Sequence, residues 1–513
     1  MRILAWHGWL LEGTGSNVYA ARVAAEWRRQ GHDVALLCQQ PRPERFEFVD
    51  ASGTVDARGV SELAPTPARP ATGRVVCLRP AIGRLLPVFV YDEYEGFAVK
   101  RFVDLTDDEL AAYLDRNVAA LRAAVAWHRP DAVVAGHAIP GAVVARRALD
   151  GARYVAKIHG SDLEYAIRLD RRYRELAREG LGGAALAVGA SEDVLRRTVQ
   201  LAPEAEGRTR VVPPGVEIDR WRPRPREDAL ARAAERLEAD PDRRRGRPTS
   251  TDDRVAGLLA ARDAAGLHAL AASYDQGAPD PGAARRLRAL AGHRGPLVGY
   301  LGKLIPEKGV ERLVEAFALL PPDARLVLVG FGGFREWIAA LAVALDRGDG
   351  EAARWLAEAS PMKLELSPDE VAGARGIAGR VAFTGRLDHR YAPAVVAGLD
   401  VLVVPSTLDE AFGMVAAEGA AAGALPLVAR HSALAEVARA LERAAGFPDA
   451  LSFAPGPGAT RRLADALRRL LELPPAEAGR IRAAVRGHVA SEWTWERTSQ
   501  RLLAAAAGEV SPK

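Results

Sequence analysis

The stretch PSTLDEAFGMVAAE, residues 405–418, carries two carboxylates placed to suit a phosphorylated, polyhydroxylated ligand. The apolar run Val401–Val404 just before it reads as a buried strand, and a helix is expected to begin near Gly413. The unpaired backbone N–H groups at such a helix start, around Phe412, Gly413, Met414 and Val415, form an anion site, and glycine at 413 lets a diphosphate approach the backbone closely. Glu410, at the tip of the turn, can accept hydrogen bonds from sugar hydroxyls, and Glu418, inside the helix, can accept from both hydroxyls of a ribose. Taken alone, such a pair reads as a surface carboxylate plus an acid that offsets the helix dipole. Its place after a strand, at the head of an Ala/Gly-packed helix, favours the ligand.

Three further segments offer complementary chemistry. VGYLGKLIPEKG, residues 298–309, sets Lys303 and Lys308 in a glycine-framed loop after a strand. A departing diphosphate develops negative charge, and fixed ammonium groups can meet it without a metal. Gly13-Thr14-Gly15 lies between the first strand and the first helix, where glycines let the backbone approach a phosphate or a sugar. His159, in VAKIHGSD, ends a strand of the N-terminal half; His137 ends another and is a weaker candidate of the same kind. A single histidine or lysine in such a place is more often structural, so these segments gain weight only together.

Together they resemble glycosyltransferase family 4, in its actinobacterial-type branch. The resemblance runs through roughly residues 1–220 and 295–505 and implies a GT-B fold, two Rossmann-like domains facing each other across a cleft that closes by hinge motion. It also implies a retaining, nucleotide-sugar-dependent reaction. Glu410 would then contact the donor sugar and Glu418 the donor ribose. Lys303 and Lys308 would bind the diphosphate, although the family usually has Arg at the first position, and Lys lacks its two-pronged fork. Gly15 is the best match to the family's glycine-rich loop, and His159 to a histidine near the reacting sugar. Backbone groups near Leu387, in Thr384-Gly385-Arg386-Leu387, would read the base. The donor expected is UDP- or GDP-hexose, UDP-glucose for instance, with no further cofactor and no metal. The acceptor would be a small molecule, a glycan or a lipid-linked hydroxyl.

Elements that could position these residues recur along the chain. Arg2–Trp6, a helix from about Ser16 to Gln30 and Val34–Cys38 make a βαβ unit, which demands a parallel sheet. Ala132–Ala135, Tyr154–Ile158, Ala185–Val188 and Arg210–Val212 extend it, giving a first domain over residues 1–215. Leu297–Leu301, Arg325–Val329, Arg380–Phe383, Val401–Val404 and Leu425–Val428 give a second, donor domain over 295–490. Residues 216–294 read as a linker and helical insertion, 341–379 as a smaller helical insertion, and the final helix, about 491–510, as packing back on the first domain beside Trp493 and Trp495. The stretch 91–100, YDEYEGFAVK, reads equally as an acceptor-side loop or a helix cap.

Bulk properties exclude several classes. A chain of 513 residues exceeds one hydrophobic core. A net charge of +4 lacks the basic stripe of a nucleic-acid binder, and the cluster Arg243, Arg244, Arg245 and Arg247 reads as a solvated loop. Cys38 and Cys77 make no disulfide framework, and Cys38 reads as a buried free thiol. No leader and no apolar span is recognised, so a cytoplasmic protein is expected, with peripheral membrane contact open. The dinucleotide fingerprint fails at Val18, and no Walker loop, G-x-S-x-G elbow or metal-binding pattern is present. Two alternatives remain: a GT-B sugar phosphorylase or epimerase, and a non-catalytic nucleotide-sugar-binding partner.

Overall fold

Most strands of both halves are short apolar runs buried on both faces, the signature of parallel sheets covered by helices. The computed structural model describes residues 1–90, 94–240 and 246–509. Arg243, Arg244 and Arg245 of the basic cluster, and Tyr91 at the head of the acidic-aromatic stretch, lie outside them. Two compact units form: Met1–Gly215 with Trp493–Lys513, and Val216–Glu492.

The first unit holds a nine-stranded sheet. Its strands are β1 (Arg2–Trp6), β2 (Asp33–Leu37), β3 (Ala51–Asp56), β4 (Gly59–Pro65), β5 (Arg74–Pro80), β8 (Ala132–Gly136), β9 (Val155–Lys157), β10 (Leu186–Gly189) and β11 (Thr209–Val211), while β6 (Leu85–Val88) and β7 (Ala98–Arg101) pair apart. The order is β11-β10-β9-β8-β1-β2-β5-β3-β4. All pairings in it are parallel except that of β3 with β4, a hairpin that closes one edge. The helix Gly15–Arg29 buries Tyr19, Val23, Ala24 and Trp27 on one face, and Gly31, at φ +87°, lets the chain turn into β2. The terminal helix Trp495–Ala507 belongs to this unit: Trp27 Nε1 donates to the Ser499 carbonyl at 3.0 Å, and the backbone of Trp495 sits where a Cβ on Gly215 would lie.

The second unit holds β12 (Leu297–Lys303), β13 (Arg325–Phe331), β14 (Val381–Gly385), β15 (Val401–Val404), β16 (Leu425–Ala429) and β17 (Ser452–Phe453), all parallel, in the order β14-β13-β12-β15-β16-β17. The carboxyl ends of these strands form one edge, where ligands bind in open α/β sheets.

Residues 216–294 form one body with the second unit. They are helical at Arg226–Ala239, Thr251–Ala260, Ala264–Ala271 and Ala283–Ala291, and charged side chains tie them down. Arg247 donates to both oxygens of Glu336 at 2.8 Å, and the Tyr274 hydroxyl reaches the same carboxylate at 2.6 Å. Arg335 donates to both oxygens of Asp280, at 2.7 and 2.5 Å. The solvated-loop reading therefore fails for Arg247, which is 4% exposed. Two carboxylates, Glu336 and Asp252, compensate its charge and make burial tolerable. Among the described residues no helix is long and apolar enough to cross a membrane.

Candidate functional site

The donor-side residues come together because two loops at the carboxyl edge of the second sheet are stitched through one carbonyl. After β12, Pro306–Lys308 forms a single 3-10 turn that ends in Gly309 at φ +62°, where a Cβ would lie 2.4 Å from the Pro405 carbonyl oxygen. Only glycine permits both the backbone turn and that approach. The Glu307 carbonyl then accepts from Thr407 N at 2.8 Å, Leu408 N at 3.2 Å, Ser406 Oγ at 3.3 Å and Thr407 Oγ1 at 3.1 Å. The lysine loop is thus clamped to the loop that carries Glu410.

Lys308 Nζ donates to Glu410 Oε1. Glu410 N–H donates to Ser432 Oγ at 3.2 Å, and the His431 ring bonds the Ser406 carbonyl at 2.6 Å, so the start of the next helix braces the loop from behind. Lys303 is the exposed last residue of β12, opposite Phe331 at the end of β13. It has no carboxylate partner among the described residues. Gly413, at φ +100°, caps the helix Met414–Ala422, and a Cβ there would come 2.5 Å from Leu434. Phe412 is buried and Met414 and Val415 are half-buried; the first N–H groups of an α-helix have no acceptor within the helix itself.

Glu418 lies one turn further along that helix, half-buried and without a hydrogen-bond partner among the described residues. Burial pushes its carboxyl up to about 8, and the charge of Glu217 adds to the shift. Leu387 is 5% exposed, and its neighbour Arg386 stacks over the Phe331 ring at 5.0 Å. Across the edge from β14 to β15 are three strand spacings, roughly 14 Å, the span of an extended nucleotide sugar.

In the first unit, His159 follows β9 and is half-buried. Its ring lies 4.5 Å from that of His137 and 5.2 Å, edge-on, from Tyr19. His137 is 1% exposed at φ +72°, and neither of its ring nitrogens has a hydrogen-bond partner. His7 bonds Asn17 Oδ1 and the Leu10 carbonyl, both at 2.9 Å. Burial drives His137 and His159 well below the usual histidine value and His7 down to about 4. The three imidazoles are therefore neutral at pH 7, able to exchange hydrogen bonds with hydroxyls but not to supply positive charge. Gly15 is the first residue of its helix, and a side chain added there would meet only open space.

Sequence reasoning missed several contributors. Asp162, fully buried, accepts from Ala138 N at 2.7 Å and Gly160 N at 3.0 Å and so fixes the turn behind His159; burial lifts its carboxyl to about 6. Lys157 sits over the Tyr19 ring at 4.9 Å, lowered by burial to about 7. Asp162 makes no side-chain cap bond to the helical turn Leu163–Ile167 that follows it, and neither its bonds to Ala138 and Gly160 nor the role of the Glu307 carbonyl could be read from the sequence.

Two family models match the chain: one described as a glycosyl transferase 4-like domain over residues 14–215, the other as glycosyl transferases group 1 over residues 288–486. Among curated relatives, a GDP-mannose-dependent monoacylated alpha-(1-6)-phosphatidylinositol monomannoside mannosyltransferase of Corynebacterium glutamicum is 26% identical over 220 residues, 40% of this chain and 46% of that protein. A 2-deoxystreptamine glucosyltransferase of Streptomyces kanamyceticus is 31% identical over 176 residues, 32% of this chain and 38% of that protein. The chain thus spans less than half the length of these relatives. Among solved structures, Anabaena Alr3699/HepE in complex with UDP aligns at a TM-score of 0.58 with 15% identity, covering 99% of this chain and 100% of that one. Sucrose-phosphate synthase from Thermosynechococcus elongatus aligns at 0.57 with 17% identity, covering 98% and 97%. The fold is that of the GT-B glycosyltransferases.

Proposed function

Since the chain belongs to the glycosyltransferases of the group 1 and family 4-like kind, we propose that it transfers a hexose from a UDP- or GDP-sugar to an acceptor hydroxyl, with retention of configuration and without a metal. The observation that carries this reading is the clamped pair of loops, which sets Lys308, Glu410 and the helix start at Gly413 at one sheet edge, with Lys303 on the adjoining strand end. The names of the relatives, a GDP-mannose-dependent mannosyltransferase and a glucosyltransferase, support a nucleotide-hexose donor.

In this reading Glu418 holds the ribose and backbone near Leu387 holds the base. Lys303, Lys308 and the N–H groups from Phe412 to Val415 hold the diphosphate, and Glu410 orients the sugar. The bond from the anomeric carbon to the β-phosphate oxygen breaks as charge on that oxygen is met by the two ammonium groups. The acceptor oxygen bonds to the same face of that carbon, and its proton passes to the departing phosphate oxygen. Gly15 and the neutral His159 serve the acceptor or the reacting sugar by hydrogen bonding. The acceptor is a small molecule, a glycan or a lipid-linked hydroxyl, and contact with a membrane surface is compatible with it. The two buried free thiols, Cys38 and Cys77, support a reducing, cytoplasmic setting.

Glu410→Ala tests the assignment through the difference between two ligands. Affinity for the nucleotide sugar should fall roughly 10-fold or more while affinity for the nucleoside diphosphate holds. Equal losses for both would remove Glu410 from the sugar.

A further inference from the structure

The donor-site reading leaves the segment before Ala283 without a task, yet that segment is anchored against the loop assigned to the base. Asp280 N–H donates to the Thr384 carbonyl at 2.9 Å, and Pro279 makes an isolated antiparallel bridge to Gly385, the last residue of β14. Gly385 has φ +72°, and a Cβ on it would meet Asp280 at 2.6 Å, so glycine is needed for the two chains to lie this close. The buried ion pair of Asp280 with Arg335 and the bond from Arg286 to the same carboxylate, at 3.1 Å, pin the segment from the other side. Between this wall and the loop after β14 lies a cavity of about 250 Å³, bounded by Asp275, Ala278 and Pro279 on one side and Arg386 and Asp388 on the other.

The chemistry of the lining is selective. The Arg386 guanidinium lies over the Phe331 ring at 5.0 Å and makes no hydrogen bond among the described residues, while its charge helps to hold the Asp388 carboxyl below its usual range. Both oxygens of Asp388 are taken by Arg390, at 2.7 to 3.1 Å. Asp275 is engaged only through Oδ1, which accepts from Gly277 N at 2.7 Å. With Arg390 and Asp388 paired to each other, the lining leaves the half-buried Arg386 as a donor-only group without a hydrogen-bond partner and the exposed Asp275 as an acceptor-only carboxylate with capacity to spare. Guanine offers O6 and N7 as paired acceptors and its N1–H and N2–H₂ as paired donors, and so matches both groups at once. Uracil has a single N–H between two carbonyls, and adenine has no carbonyl.

Resting on the proposed donor site, we infer that residues 275–280 and the loop after β14 form a guanine-selective base pocket, in which Arg386 donates to O6 and N7 and Asp275 accepts from N1 and N2. The donor is then a GDP-sugar, and the inserted segment is what selects it.

Titrating the full chain with GDP, UDP and ADP by calorimetry tests this, alongside Asp275→Asn, which keeps the turn bond to Gly277, and Arg386→Ala. GDP should bind at least roughly 10-fold more tightly than UDP or ADP. Each substitution should lower GDP affinity by a similar factor and leave UDP affinity nearly unchanged, with melting temperature preserved. UDP or ADP binding as tightly as GDP would overturn the guanine pocket, as would variants that leave the GDP/UDP ratio unaltered. The donor site survives that outcome if Glu418→Gln still weakens UDP. Failure of all three nucleotides to bind would sink the donor site, and the base pocket with it.

Discussion

Lys308 and Glu410 are each other's partners, although one is assigned to the diphosphate and the other to the sugar. Lys308→Ala should weaken nucleoside diphosphate binding roughly 10-fold to 100-fold, the worth of a charge-assisted bond; unchanged affinity by calorimetry would free Lys308 of that task. Glu418 makes a different prediction. Its carboxyl, ordinarily near 4.5, is raised to about 8. A group raised in this way contributes stability that is full below its unfolded value and is lost as pH climbs toward its folded one. Glu418→Gln removes the loss, so its melting temperature relative to wild type should rise between pH 5 and pH 9, while donor binding weakens. A difference constant across that range would contradict the burial argument. The glutamates, the lysines and His159 were legible in the sequence because each stands in a motif with glycines beside a strand end. Asp162, Ser432 and Arg386 were not, because what matters about them is whom they touch across the fold: Ala138, Glu410 and Phe331.

Short elements set these contacts, and their weak points are identifiable. Gly413 holds a left-handed conformation that an L side chain adopts only with strain, about 1–3 kcal/mol, and Leu434 leaves no room for a Cβ. Gly413→Ala should therefore lower both thermal stability and diphosphate affinity; full retention of both would contradict the helix-start anion site. The buried pair of Arg247 and Glu336 predicts that Arg247→Ala costs about 3–5 kcal/mol, since it strands a buried carboxylate. Replacing both members with apolar residues should cost less than either single change, and urea midpoints of the three variants check this. Most strands were readable as apolar runs, with ends displaced by a residue or two, and Val401–Val404 fell in place. β3 and β4 escaped notice because they are polar: a hairpin at the sheet edge needs little apolar surface, and most of β4 is exposed. β5 does carry the apolar run Val75–Leu78, but flanking Arg and Pro obscure it. The insertion could be read as helical, whereas its docking could not, because ion pairs far apart in sequence hold it.

At the scale of the whole molecule, each unit is a doubly wound sheet whose carboxyl edge holds its own chemistry. The first offers neutral imidazoles and aromatic rings, and the second offers fixed cations, a helix start and carboxylates. The alternation of strand and helix in the sequence was enough to anticipate two such sheets. It gave no sign that residues 216–294 belong to the second unit. The central claim, a working donor site on the second unit that needs no metal, is open to one direct measurement: thermal melting of the full chain with UDP, GDP, ADP and TDP, each with and without EDTA. A nucleotide at a hundred times its dissociation constant adds about 2.7 kcal/mol to the folded state. The account predicts that at least one nucleotide raises the melting temperature and that EDTA leaves the rise unchanged. No shift with any of them, or a shift that EDTA abolishes, would contradict it.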